Sequence, residues 1–244
     1  MHELEEFLSP TAYLDSAHPL VRATAAKLVA DSSSETDRVG RIYHYVRDLP
    51  YDILASFRYL AQGQNRASDV IGHGVAFCMG KASSFVALCR AAGVPARIAF
   101  QTLDCPDKEF LSPEVRALWG ASRPLPWHSL GEAYLGGRWI KLDATIDAST
   151  AALLGKPYRQ AFDGSTPIAT VEGPILRDNG SYADYPADVA QWYERIARAV
   201  LAALESAEVA AQVAGDDELW AGPPLEAVAR HSANSQLILR RHIP

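Results

Sequence analysis

The stretch from Gly74 to Arg97 leaves few folds open to this chain. A helix opening near Cys78 runs into Gly93-Val94-Pro95, the usual chemistry of a helix stop, and Ala96 to Phe100 then alternates as a strand does. Cys78, Ala82, Phe85, Val86 and Cys89 recur at helical spacing, which predicts one buried stripe. Cys78 falls in the first turn, where unpaired backbone N–H groups and the positive end of the helix dipole favour an anion. A thiolate nucleophile suits that position. A small buried hydrophobe suits it as well, and this stretch alone does not separate the two readings.

A second stretch fixes a sheet. Trp127–Leu135 and Arg138–Thr145 flank Gly136-Gly137, which supplies the positive φ values of a tight hairpin turn. That turn pairs Leu135 with Arg138, Glu132 with Lys141 and Leu130 with Asp143. Alternation then sets His128, Leu130, Glu132 and Tyr134 on one face with Trp139, Lys141 and Asp143. His128 and Asp143 become diagonal neighbours, within reach of an imidazole–carboxylate contact unless a bulge intervenes. Glu132 is expected to pair with Lys141 across the strands, and Arg97 to tie the helix end to the sheet.

Around these two stretches the first third of the chain reads as helical. Pro19 opens a helix whose inner face is Leu20, Ala23, Thr24, Lys27 and Leu28. Ser34 and Asp37 form a capping box for a helix burying Val39, Ile42, Tyr43 and Val46. An apolar segment runs to Leu60, Gln62–Asn65 is loop, and Ser68 caps one more turn. His2, His18, His44, His73, His231 and His242 read as surface or loop residues. Residues 105–126 form a proline-containing insertion with its own helix, started by Ser112-Pro113-Glu114 and stopped at Gly120. Farther on, Phe162-Asp163-Gly164, Gly173-Pro174 and Asp178-Asn179-Gly180 read as turns. Pro186 opens one long helix carrying Val189, Trp192, Ile196, Val200 and Leu204 and running to Gly215, a structural element by its pattern. A last helix extends up to Arg241. The expected division is a core over 1–165 (helical 1–93, sheet 94–165) and an elaboration over 166–244 packed on the same domain.

Composition closes off other classes. The formal charge is −6 with no basic cluster, which argues against nucleic acid or an anionic membrane as partner. Three cysteines exclude a complete disulfide framework, and none has metal-ligand spacing. The acidic opening Met1-His2-Glu3 carries no apolar signal core, so a cytoplasmic location is expected, with no metal or other cofactor. The sequence leaves the oligomeric state open.

A cysteine at a helix start, followed by a histidine and an aspartate paired on one hairpin, meets the needs of a cysteine nucleophile. Histidine takes and returns the proton, aspartate holds its tautomer, and the Cys78 backbone N–H faces a developing oxyanion. The wording of these segments resembles the bacterial transglutaminase-like family of the papain-like group. The resemblance rests on Cys78, Lys81-Ala82, Arg90 to Arg97, His128, and Trp139 to Asp143, with Val46-Arg47-Asp48 and Tyr51-Asp52 upstream and Phe162-Asp163-Gly164 downstream. It implies an α+β fold, with a helical layer bearing the nucleophile packed on an antiparallel sheet. It also implies acyl transfer through a thioester, on a substrate bearing an amide or peptide. The chain departs from the family's pattern at Met79-Gly80 and at Leu130, positions that help shape the acyl pocket. Met79, Trp119, Trp127 and Leu130 are therefore the expected substrate-binding residues. The second oxyanion donor is open among Tyr51, Gln62 and Asn65. Three functions compete: an amidase or peptidase, an amine-accepting acyltransferase, and a binding scaffold without catalysis. The expected triad Cys78-His128-Asp143 favours the first two.

Overall fold

The computed structural model describes residues 2–157 and 161–232. After a 3-10 turn at His2–Phe7 come α1 (Pro19–Val29), α2 (Glu35–Asp48), α3 (Ile53–Ala61), α4 (Ala67–His73) and α5 (Cys78–Ala91). Each start is made locally. His18 Nδ1 accepts from Leu20 N ahead of α1, Ser34 Oγ accepts from Asp37 N ahead of α2, and Asp52 accepts from Ala55 N ahead of α3. Arg66 stands at the cap of α4, so Ser68 is not a cap; it lies inside the helix and donates to Asp15 at 2.6 Å. In α1 the inward row is Val21 and Ala25 rather than the Leu20 row, and Leu20 is exposed. The smaller row lets α1 lie against α5. The expected single stripe on α5 is exceeded: every residue from Met79 to Arg90 is buried. The cause is position, because α1, α2 and α4 flank α5 and the sheet lies against it.

That sheet comprises β1 (Ala96–Leu103), β2 (Leu125–Leu135), β3 (Arg138–Leu142) and β4 (Ile175–Tyr182), antiparallel in the order β3-β2-β1-β4. The architecture is the α+β arrangement expected. The hairpin has the predicted register, from Leu135↔Arg138 to Gly131↔Leu142. A Cβ at Gly131 would collide with the Phe85 ring, so glycine there is what lets α5 seat on β2. β4 corrects the expected boundary at residue 165, since the sheet takes its edge strand from beyond it. Asp178-Asn179-Gly180 is not a turn between strands but a bulge within β4. Asn179 is its extra residue, and its amide donates to the buried Thr102 hydroxyl at 3.1 Å.

The insertion holds α6 (Pro113–Trp119), capped by Ser112 and ended at Gly120 (φ 78°) as predicted. After β3 come α7 (Ala148–Leu153), α8 (Ala187–Ala203), α9 (Ala207–Gly215) and α10 (Asp217–Ala221), and 225–232 is helical. The long helix expected to reach Gly215 is two helices, because Ser206 Oγ accepts from Val209 N and starts α9 afresh. The expected last helix beyond residue 232, with His242, lies outside the described residues. α8 buries Val189, Trp192, Ile196 and Val200 against the same core as α5 and the sheet. α8 also packs on α3, which brings the C-terminal region beside Cys78.

Candidate active site

Cys78 sits at the first position of α5, half-buried. The capping residue Phe77 has no side-chain acceptor, so the first-turn N–H groups of α5 have no side-chain cap. Cys78 lines an apolar cleft together with His128 from β2.

His128 is 2% exposed, and its Nε2–H donates to Asp143 Oδ2 at 3.2 Å. Its other nitrogen, Nδ1, is buried without a hydrogen-bond partner among the described residues and is left for the thiol. Burial alone would lower the imidazole pKa. The Asp143 charge and hydrogen bond outweigh it, with help from Cys78, and hold the ring protonated up to about 10. Asp143 itself is fixed on every side. Oδ1 accepts from Thr145 N (2.9 Å), and Oδ2 also accepts from Thr170 N (3.1 Å) and Val171 N (3.0 Å). Its backbone N–H donates to Ile168 O, and Tyr43 Oη from α2 donates to its carbonyl. Burial raises the carboxyl pKa, but His128 and these donors lower it by more, so the net shift is below the usual 3.8. The two sequence segments therefore meet as an imidazolium–carboxylate pair facing a thiol at a helix start.

The other expected side chains divide. Trp119 lines the cleft; Met79, Trp127 and Leu130 do not. Met79 is one residue, about 100° of helix, around from Cys78. It is buried toward a separate cavity with Val70 and Tyr59. Alternation turns the fully buried Trp127 away from His128, and its indole N–H donates to Pro223 O at 2.9 Å. Leu130 is one side-chain repeat beyond His128 and packs inside, opposite Ala99. Among the residues weighed as oxyanion donors, Tyr51 lines the cleft; Asn65 lines the cavity beside Met79, and Gln62 lines neither. Glu132 lies opposite Lys141 as predicted, but its carboxylate pairs with Arg97 at 2.5 Å, and Lys141 pairs with Asp178 at 2.6 Å. Arg97, stacked over Trp139 at 4.0 Å, thus ties strand to strand rather than helix to sheet.

Sequence reasoning missed Tyr193, on the α8 helix taken as structural. Its hydroxyl donates to Trp127 O at 2.6 Å, lies 3.0 Å from Ser129 Oγ, and sits 3.8 Å from Cys78 Sγ. With its proton committed to Trp127, the oxygen accepts from Ser129 and faces the thiol. Trp127 has φ 50°, a strained value for a non-glycine residue, immediately before His128. Tyr193 and Pro223 hold that residue through its carbonyl and its indole. No short motif marks Tyr193; its place in the inward row of α8 was the one signal available.

Among the described residues no group of three or more His, Cys, Asp or Glu side chains could hold a metal ion, and no helix is long and apolar enough to cross a membrane. The transglutaminase-like superfamily model matches residues 22–144, half the chain, and the match contains Cys78, His128 and Asp143. None of the curated proteins matches. One solved structure similar to this chain is a candidate cysteine protease from Cytophaga hutchinsonii, with 24% identity and a TM-score of 0.46 over 59% of this chain and 43% of that one. Another is a TGase, with 19% identity and a TM-score of 0.35 over 65% of this chain and 37% of that one. The chain thus spans less than half the length of either.

Proposed function

The chain belongs to the transglutaminase-like superfamily, and on that basis we propose that it is a cysteine-dependent acyl-transfer enzyme of the hydrolase or peptidase type. The observation that carries this reading is His128, buried between the Asp143 carboxylate and the Cys78 thiol. In the proposed reaction the Cys78 proton has passed to His128, and the Cys78 sulfur attacks the carbonyl carbon of an amide as a thiolate. The oxyanion is met by the Cys78 backbone N–H at the uncapped start of α5. As the C–N bond breaks, His128 gives its proton to the departing amine, leaving a thioester on Cys78 and a neutral imidazole. That imidazole then takes a proton from water, which attacks the thioester and releases a carboxylic acid and the Cys78 thiolate, with His128 again an imidazolium. Asp143 stays ionised throughout and stabilises the imidazolium each time it forms.

Hydrolysis is favoured over transfer to an amine because, among the described residues, no Asp or Glu lines the cleft to draw in an amine as its cation. The test is incubation with a panel of peptide and glutaminyl amides, with and without a primary amine, followed by mass spectrometry. Acid products that persist in the presence of the amine are expected. Amide products in their place overturn hydrolysis in favour of acyl transfer, and no product of either kind supports a binding scaffold.

A further inference from the structure

The walls around Cys78 have a chemistry of their own. The insertion contributes Phe110, Leu111 and Trp119, α3 contributes Ile53 and Phe57, and α8 contributes Trp192 and Ile196. Among the lining residues there is no Asp, Glu, Lys, Arg, Asn or Gln. The polar side chains that do line the cleft are already engaged or lie at the reacting centre. His128 is bonded to Asp143, and the Tyr193 proton is bonded to Trp127 O. Thr145 is 1% exposed, and the Tyr51 hydroxyl lies at the reacting centre beside Cys78. A substrate group reaching past the reacting carbonyl and the Tyr51 hydroxyl therefore meets mostly carbon. In so narrow a space it does not bring its solvation with it. α8 lies outside the family-matched segment, so the wall made by Trp192, Tyr193 and Ile196 is not set by the family's core.

We infer that the cleft takes an apolar acyl group, an aliphatic chain or an aryl ring, and rejects acyl groups that end in a carboxamide or a carboxylate. This rests on the acyl-enzyme reading above. A carboxamide at the far end of the acyl group would be buried there with at most the Tyr51 hydroxyl for a partner, too few for its donors and its acceptor. An aliphatic or aryl group of similar length loses nothing by the same transfer. Phe110, half-buried beside Tyr51 with ring centroids 6.1 Å apart, forms one wall around it.

The experiment uses the full chain and thioesters of one small thiol carrying acetyl, hexanoyl, phenylacetyl, glutaramoyl or glutaryl groups. In each, the Cys78 thiolate attacks the carbonyl, the carbon–sulfur bond to the leaving thiol breaks, and the departing thiolate takes the proton held on His128. The rate of adduct formation on Cys78 is read by intact mass and peptide mapping, and divided by the same donor's rate with free cysteine. Hexanoyl and phenylacetyl should exceed glutaramoyl and glutaryl on the order of tenfold to a hundredfold. Phe110→Ala should narrow the gap between acetyl and phenylacetyl. A glutaramoyl or glutaryl rate equal to or above that of hexanoyl overturns the apolar assignment and leaves the acyl-enzyme reading standing. No adduct on Cys78 from any donor overturns the acyl-enzyme reading itself.

Discussion

Asp143→Asn separates the charge of the carboxylate from its hydrogen bonds. An asparagine oxygen in the Oδ2 place keeps the three donors from His128, Thr170 and Val171. Its NH₂ then occupies the Oδ1 place and confronts the Thr145 N–H, which now donates at 2.9 Å. Reversing the amide would set its NH₂ against three donors, so the first orientation wins. One donor in a buried site loses its acceptor, at a cost of about 1–3 kcal/mol in stability. The larger effect is on His128. The rise from 6.5 to about 10 corresponds to on the order of 5 kcal/mol in favour of the charged ring. Asp143 heads the causes that oppose burial, so without its charge burial dominates and the ring is neutral at pH 7. Turnover should fall on the order of 10³–10⁴-fold. The assay is an NMR titration of the His128 ring beside the pH profile of Cys78 alkylation by iodoacetamide. In the wild type the ring stays charged until about pH 10; in the variant it loses its proton below 6.5. The stability gap between the two proteins should be widest from about pH 4 to 6.5. It should close as pH rises through about 10, where His128 loses its proton, and as pH falls below 3.8, where the advantage of the lowered Asp143 pKa is lost. A variant whose ring titrates as in the wild type would refute the reasoning. Neither Asp147, which caps α7 and accepts from Tyr51 N, nor Glu132, paired with Arg97, stands ready to substitute.

Tyr193→Phe should lower stability by about 1–3 kcal/mol, because the buried Trp127 carbonyl loses its donor. It should also lower kcat about tenfold with little change in KM and shift the pH profile of Cys78 alkylation, a change that a purely structural tyrosine would not produce. Lys81, buried within α5 with Nζ donating to Arg47 O at 2.9 Å, has its pKa pushed down from 10.5 to about 8, chiefly by burial. Below pH 8 the folded protein bears that cost, and it is relieved as pH rises to 10.5. Lys81→Met should therefore lose ground to the wild type by on the order of 3 kcal/mol between those pH values in parallel denaturant titrations. Burial raises the Cys89 pKa, so Cys89 should resist iodoacetamide while Cys78 reacts. Equal labelling of the two in the folded protein contradicts the site.

The parts of the fold visible in the sequence were those written in short-range spacing. The α5 start, its Gly93 stop and the Gly136-Gly137 register each depend on residues within a dozen positions, and they deliver Cys78, His128 and Asp143 to one place. What the sequence hid depends on distant packing. Tyr193 touches Cys78 from 115 positions away. No periodicity distinguishes a tyrosine that reaches a thiol from one that fills a core. Met79 and Leu130 were misplaced because the pocket role implied by the family's pattern at those positions was carried over to this chain. A one-residue step on a helix and a two-residue step on a strand both lead away from the cleft. β4 was missed because Asp178-Asn179-Gly180 has turn chemistry, which an edge strand can absorb as a bulge but a central strand could not.

The account stands on Cys78 as the acyl carrier, and trapping the acyl-enzyme tests that most directly. The full chain is mixed with an apolar thioester, quenched in acid at intervals, and mapped by mass spectrometry. The predicted result is a hydroxylamine-labile adduct on Cys78 that forms and decays with turnover, is absent in Cys78→Ser, and forms far more slowly in His128→Ala. An adduct carried by another residue, or turnover retained in Cys78→Ser, would contradict it.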